Sequence, residues 1–226
     1  MYTYLRMPVY NNIKSFPLFA IAMARKLFIL SALLFLSSSI AAQHKDYYQE
    51  GNAYMNQKKF VLAEETFAEG ILIDSSLHIL YPSLANAMMM QQKHNPADSV
   101  LDVILKKHPN YLGALWFKGL NYFYWDRDSM SIIYMKKYLK RAKMPNNQVI
   151  KGYYYVGRAY EKILRTKGLN QMELSEMIAY YDKFSILGEG HPAAARVKGF
   201  IAAVKAQKPV NYTGRWIFKD PPVKKE

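Results

Sequence analysis

The stretch Tyr47-Tyr48-Gln49-Glu50-Gly51-Asn52-Ala53-Tyr54, followed by Ala63-x-x-x-Phe67, decides how this chain folds, because it returns. It recurs 34 residues on as Tyr81-x-x-Leu84-Ala85-x-x-Met88, with Ala97-x-x-x-Leu101 and Pro109. It recurs after another 34 as Leu115-x-x-Lys118-Gly119-x-x-Tyr122, with Ser131-x-x-x-Met135. A fourth copy, Tyr153-x-x-Val156-Gly157-x-x-Tyr160, follows 38 residues later. A period of this length marks stacked supersecondary units, none of which buries its apolar face alone. A mid-helix Gly costs about 1 kcal/mol relative to Ala. Its return at 51, 119 and 157, with Ala at 85, therefore calls for close approach of a partner helix. Ala63 and Ala97 are the expected small contacts on that partner. Phe67, Leu101 and Met135, four residues on and on the same face, are expected to fill the layer to the next repeat.

The rest of the chain reads as helix. Pairs are expected at about 45–57 with 60–73, 77–91 with 96–107, and 111–124 with 128–142. Asp74-Ser75-Ser76 and His94-Asn95-Pro96 supply turn and capping chemistry between them. Met144-Pro145-Asn146-Asn147 interrupts before helices at about 148–165 and 172–187. Gly188-Glu189-Gly190 stops the latter, and His191-Pro192 opens a last amphipathic helix through Gln207, with Val197, Phe200, Ile201 and Val204 on one stripe.

The repeated positions resemble the tetratricopeptide repeat, a helix–turn–helix unit patterned on an aromatic, Leu-Gly, Tyr, Ala, Phe and Pro. Ser131 stands where the pattern has Ala, and Lys118 where it has Leu. The resemblance implies an all-α fold: a right-handed α-solenoid of about four units, 44–77, 78–111, 112–145 and 150–187. A capping helix (191–207) and a tail (208–226) would follow. It also implies a peptide-binding groove lined by the first helix of each pair. By repeat position that groove would use Tyr48, Asn52 and Met55, then Asn86, Met89 and Met90. Trp116, Leu120 and Phe123 would follow in the third unit, and Tyr154, Arg158 and Glu161 in the fourth. The clamp that some members use for acidic chain ends needs Lys or Arg where this chain has Tyr48, Gly113 and Phe117. Only Asn52 and Asn86 match, so that clamp is not expected.

The N-terminal region bears on compartment. Met23-Ala24-Arg25-Lys26, the apolar run Leu27 to Leu36 and then Ser37-Ser38-Ser39-Ile40-Ala41-Ala42 are the parts of a secretory signal peptide. Its residues would be 23–42, with cleavage near Ala41 or Ala42. Residues 1–22, with Pro8 and Pro17, read as a mis-assigned upstream start. The run is shorter than the ~20 residues of a membrane-spanning helix. The chain has no Cys, which leaves no disulfide and no lipid-attachment site. These features imply a periplasmic or secreted protein that is not a lipoprotein.

At 226 residues and 51% apolar content the chain can bury a core, and its 19 Tyr suit repeats that each demand one. Lys and Arg outnumber Asp and Glu by 31 to 17. The charges are dispersed along helices, with a local cluster at Lys136, Lys137, Lys140, Arg141 and Lys143. Catalytic signals are sparse. The five His show no ligand spacing, no phosphate-cradling loop or Gly-x-Ser-x-Gly elbow occurs, and Glu64-Glu65 point apart on a helix. The expectation is therefore no enzyme, no cofactor and no metal. What remains is a protein-interaction scaffold of the bacterial envelope binding a protein or peptide, with no nucleic acid. The alternatives are an electrostatic binder of envelope polyanions, or an accessory subunit of an envelope assembly or secretion machine. In the tail, Trp216 and Phe218 lie between Pro209 and Pro221 and are expected to dock, on the last helices or on a partner.

Overall fold

A computed structural model describes residues 47–220; the expected leader and the last six residues lie outside them. Among the described residues the protein is all-α, a solenoid of tetratricopeptide-like helix pairs. In chain order the helices are α1 (47–56), α2 (Phe60–Ile73), α3 (Leu80–Met90), α4 (His94–Lys107) and α5 (Leu112–Tyr124). Then come α6 (Asp128–Arg141), α7 (Asn147–Thr166), α8 (Gln171–Leu187) and α9 (Ala194–Gln207).

The first three pairs share one turn. Lys58, Gln92 and Asp126, each seven residues past the small residue, adopt left-handed φ of 59°, 61° and 55°. The next amide then donates back to the first helix, Lys59 to the Tyr54 carbonyl at 2.9 Å, Lys93 to Met88 at 3.0 Å and Arg127 to Tyr122 at 2.9 Å. This closes the helix end in the manner of a left-handed C-cap. Asn95 does not cap α4. Its start is instead held by Asn121 of α5, whose amide donates to the His94 carbonyl at 2.9 Å. Asp74 serves its own turn, accepting from the Ser76 amide at 2.8 Å.

Each pair is closed by a plug in a notch. A Cβ added at Gly51 would lie 2.3 Å from the Phe67 ring, one at Gly119 2.8 Å from Met135, and one at Gly157 2.4 Å from the Tyr181 ring. Phe67 and Met135 thus fill the notch of their own pair, and they also share the core with the next unit, Phe67 with Leu80, Leu84 and Ala87 and Met135 with Val149 and Val156. Ser131 suits its site because its hydroxyl, fully buried, donates to the Gly119 carbonyl at 2.9 Å.

The fourth pair keeps the notch but lengthens the arm. Plug follows notch by 16 residues in the first three units and by 24 from Gly157 to Tyr181. Four of the extra eight residues lengthen α7 by about one turn and three lengthen α8. The connection keeps a left-handed residue, Gly168 at φ 72°, but the next amide, of Leu169, donates to Trp216 and not back to α7. Instead α8 starts at a capping box, Asn170 accepting from the Glu173 amide and Glu173 from the Asn170 amide. Tyr181 also brings a hydroxyl, which donates to the 2%-exposed Glu161 of α7. Arg158, Arg196 and Arg165 approach the same carboxylate at 3.1, 3.1 and 3.4 Å, tying the cap helix α9 to α7. Burial opposes charge on Glu161, yet the Tyr181 hydroxyl and the Arg196 and Arg158 guanidiniums outweigh it and hold the carboxyl below its usual range.

The stripe of α9, with Val197, Phe200, Ile201 and Val204 buried, covers the last layer. The tail then returns over the α7–α8 corner. Trp216 forms an antiparallel bridge with Leu169, amide to carbonyl at 2.9 and 3.0 Å. Phe218 is 2% exposed, edge-on to Phe200 at 5.4 Å, and Arg215 and Arg165 pair with Glu173 and Asp220.

Two predictions follow from the notch and the buried carboxylate. Gly157→Ala, pressed against a rigid buried ring, should lose about 1–3 kcal/mol by overpacking. Gly199→Ala, where nothing lies within 4 Å of the added carbon, should gain up to about 1 kcal/mol from helix propensity. Urea unfolding of the two variants measures both. Glu161→Gln should cost about 2 kcal/mol, short of the ~3–5 kcal/mol of a fully buried pair because the guanidiniums keep part of their hydration. Because the folded carboxyl is depressed, its contribution is present above about pH 4.5 and is lost as pH falls through the lowered value. Stability curves of wild type and Glu161→Gln should therefore converge in acid.

Candidate functional site

The stacking decides which surfaces are free. Among the described helices the backbones of the first members of neighbouring pairs approach closely, α3 with α5 and α5 with α7, whereas those of α4 and α6, or of α6 and α8, do not. One face is therefore a tight row of first helices, and the other is a set of splayed second helices with gaps between them.

On the first-helix face, the groove positions expected from the repeat divide. Met89, Trp116 and Leu120 are buried, at 4%, 6% and 9% exposure, and Glu161 is the buried carboxylate described above. They belong to the core rather than to an open groove. The reason is the close side-by-side packing: Trp116 meets Tyr138 and Tyr155, with ring centroids 5.3 and 6.0 Å away, before it meets solvent. Tyr48 is exposed, and Asn52 donates to the Tyr48 carbonyl at 2.7 Å. Met55, Asn86, Phe123, Tyr154 and Arg158 are half-buried. Of the large apolar side chains on the first helices, Met90 and Tyr124 are the most exposed, at 43% and 50%, at matching positions five residues past the notches of Ala85 and Gly119. Tyr124 joins Phe123, Tyr155 and Tyr154 in a run of edge-to-face rings. Its hydroxyl lies 3.2 Å from that of Tyr155. Burial and the Tyr124 hydroxyl raise Tyr155 above the ordinary phenol range. Tyr124 was legible by counting five from the notch, since Met90 marks the same position one unit earlier.

Lys118 and Asn121 are the residues whose roles the sequence pattern did not disclose. Lys118, 1% exposed, reaches Asp98 and Asp102 of α4 at 2.6 and 2.8 Å and lies over the Tyr122 and Tyr134 rings. Burial disfavours its charge, but the two carboxylates more than compensate and its pKa rises. It is an anchor between units rather than a ligand group.

On the second-helix face, the gap between α6 and α8 is a cleft of about 380 Å³ floored by α7. Lys136, Leu139 and Lys140 come from α6, Tyr153 from α7, and Ala179, Tyr180 and Lys183 from α8. Gly152 lets Leu139 lie on α7, since a Cβ there would stand 2.9 Å from it. Lys136 bonds Glu176 at 2.8 Å, while Lys183 sits 5.6 Å over the Tyr153 ring. Elsewhere the His78 and His108 rings meet at 4.1 Å, tilted by 48°, and no third His, Cys, Asp or Glu joins them among the described residues.

No family model matches the chain, and no curated protein matches it. Among solved structures it is similar to a MamA RS-1 ArsTM double mutant, at 14% identity over 73% of this chain and 93% of that one, with a TM-score of 0.49. It is also similar to a tetratricopeptide repeat protein from Parabacteroides merdae ATCC 43184, at 14% identity over 74% and 80% of the two chains, with a TM-score of 0.42.

Proposed function

We propose that the chain is a non-catalytic scaffold of the bacterial envelope that holds a polypeptide along its first-helix face. The observation that carries this reading is the recurrence of exposed Met90 and Tyr124 at one repeat position, flanked by half-buried Asn86, Phe123 and Tyr154. A thioether and a phenol at regular steps offer adaptable apolar contact, and amides beside them can pair with an extended backbone. Envelope placement rests on the leader-like segment 23–42 alone.

Two measurements test this reading. Expressed in a bacterium with an envelope, the protein should be recovered outside the cytoplasm with an N-terminus at Ala42 or Gln43; recovery in the cytoplasm with residues 23–42 intact overturns the placement. Crosslinking in the same cells should capture a discrete polypeptide set, depleted by Met90→Ser with Tyr124→Ser at unchanged melting temperature. An identical set from wild type and variant removes this face from the proposal.

A further inference from the structure

The cleft between α6 and α8 lies on the face opposite the aromatic run, and its lining joins charge to apolar surface. We infer that it is a second docking site, for an acidic polypeptide segment that carries apolar side chains between its carboxylates. The inference rests on the scaffold reading and adds to it the chemistry of a partner.

The lysines are not equivalent. Lys136 is neutralised by Glu176, which also accepts from the Tyr160 hydroxyl. Lys140 and Lys183 make no ion pair among the described residues, and both are exposed. They therefore stand on the two walls as cations without a carboxylate partner, one from α6 and one from α8, the latter over the Tyr153 ring. Between them Leu139, Ala179 and the Tyr153 and Tyr180 rings, whose centroids are 5.9 Å apart, form an apolar floor. A carboxylate at each lysine with an apolar side chain between them satisfies both parts of this lining.

Charge complementarity also selects among occupants. The chain's own undescribed ends are poor candidates, since 1–46 carries Arg6, Lys14, Arg25, Lys26 and Lys45 against Asp46. Residues 221–226 carry Lys224 and Lys225 against Glu226. A second copy shares the net charge of +14 and is repelled. A phosphate polyanion needs an unbroken basic track. Here Glu176, bonded to Lys136, interrupts the track and leaves Lys140 and Lys183 as two separated cations for two anionic side chains. The donors are Lys only, which bind as point charges rather than as the bidentate fork that favours phosphate.

The test uses the full chain and a short dye-labelled peptide of alternating Glu and Leu, read by fluorescence anisotropy. Its Gln/Leu analogue, inorganic polyphosphate and phosphatidylglycerol vesicles are the comparison ligands. The acidic peptide should bind in preference to all three. Lys140→Ala with Lys183→Ala should weaken it about tenfold, the combined effect of two exposed ion pairs, and Lys140→Arg with Lys183→Arg should restore it. Met90→Ser with Tyr124→Ser should leave it unchanged. Equal binding of the Gln/Leu peptide, tighter binding of polyphosphate or vesicles, or full affinity in the double Ala variant would each overturn the inference. Affinity lost only in the Met90/Tyr124 variant would overturn it while leaving the scaffold reading intact, whereas failure of that reading appears separately in the crosslinking comparison.

Discussion

Three of the four repeated helix pairs among the described residues are closed by a large side chain seated where the partner helix has only a glycine. Phe67 lies over Gly51, Met135 over Gly119 and Tyr181 over Gly157, at distances that leave no room for a methyl group. In the second unit the notch already carries the methyl of Ala85, and the residue at plug position is Leu101 rather than a ring; both are fully buried. The volume needed to bring two helices together is thus divided between notch and plug, and each unit divides it differently. Close-packed interiors respond to single methyl groups, so this division fixes the separation and angle within each pair.

What lies between pairs follows from that closure. With the first helices drawn into contact, the second helices spread, and the surface separates into a tight face and a gapped one. The tight face absorbs Met89, Trp116 and Leu120 into the core and leaves Met90 and Tyr124 outside. The gapped face opens the α6–α8 cleft, whose walls carry one helix-bridging ion pair, Lys136 with Glu176, and two lysines without a carboxylate partner. Polar anchors hold the units in register without filling the gaps: Lys118 to Asp98 and Asp102, Asn121 to His94, and Glu161 to three arginines.

Much of the fold was legible because the signal is a spacing. The small residue at each notch carries the helix pairs, and the 38-residue step announces an altered last unit. What spacing does not carry is direction. Phe67 and Met135 were placed on the right helix and face, but their seats over Gly51 and Gly119 were not foreseen, because an i, i+4 relation defines a face and not its nearest partner. The groove was misjudged for the same reason: Trp116 sits on the expected face, yet its depth depends on how closely α7 approaches α5. Long-range charge pairs were invisible. Nothing near Lys118 in sequence reveals Asp98, and nothing near Glu161 reveals Arg196, which lies 35 residues away. Repeat position would have found Tyr124, since Met90 holds the matching place.

The notch-and-plug account is tested most directly by converting the first unit's pair into the second's. Gly51→Ala and Phe67→Leu should each destabilise the protein, the first by overpacking and the second by leaving a void. Together they rebuild the Ala–Leu combination that Ala85 and Leu101 already use. A double-mutant cycle by urea unfolding should then show the pair costing less than the two single changes combined, by more than about 0.5 kcal/mol. Costs that add within about 0.3 kcal/mol would contradict the claim that notch and plug form one packing unit.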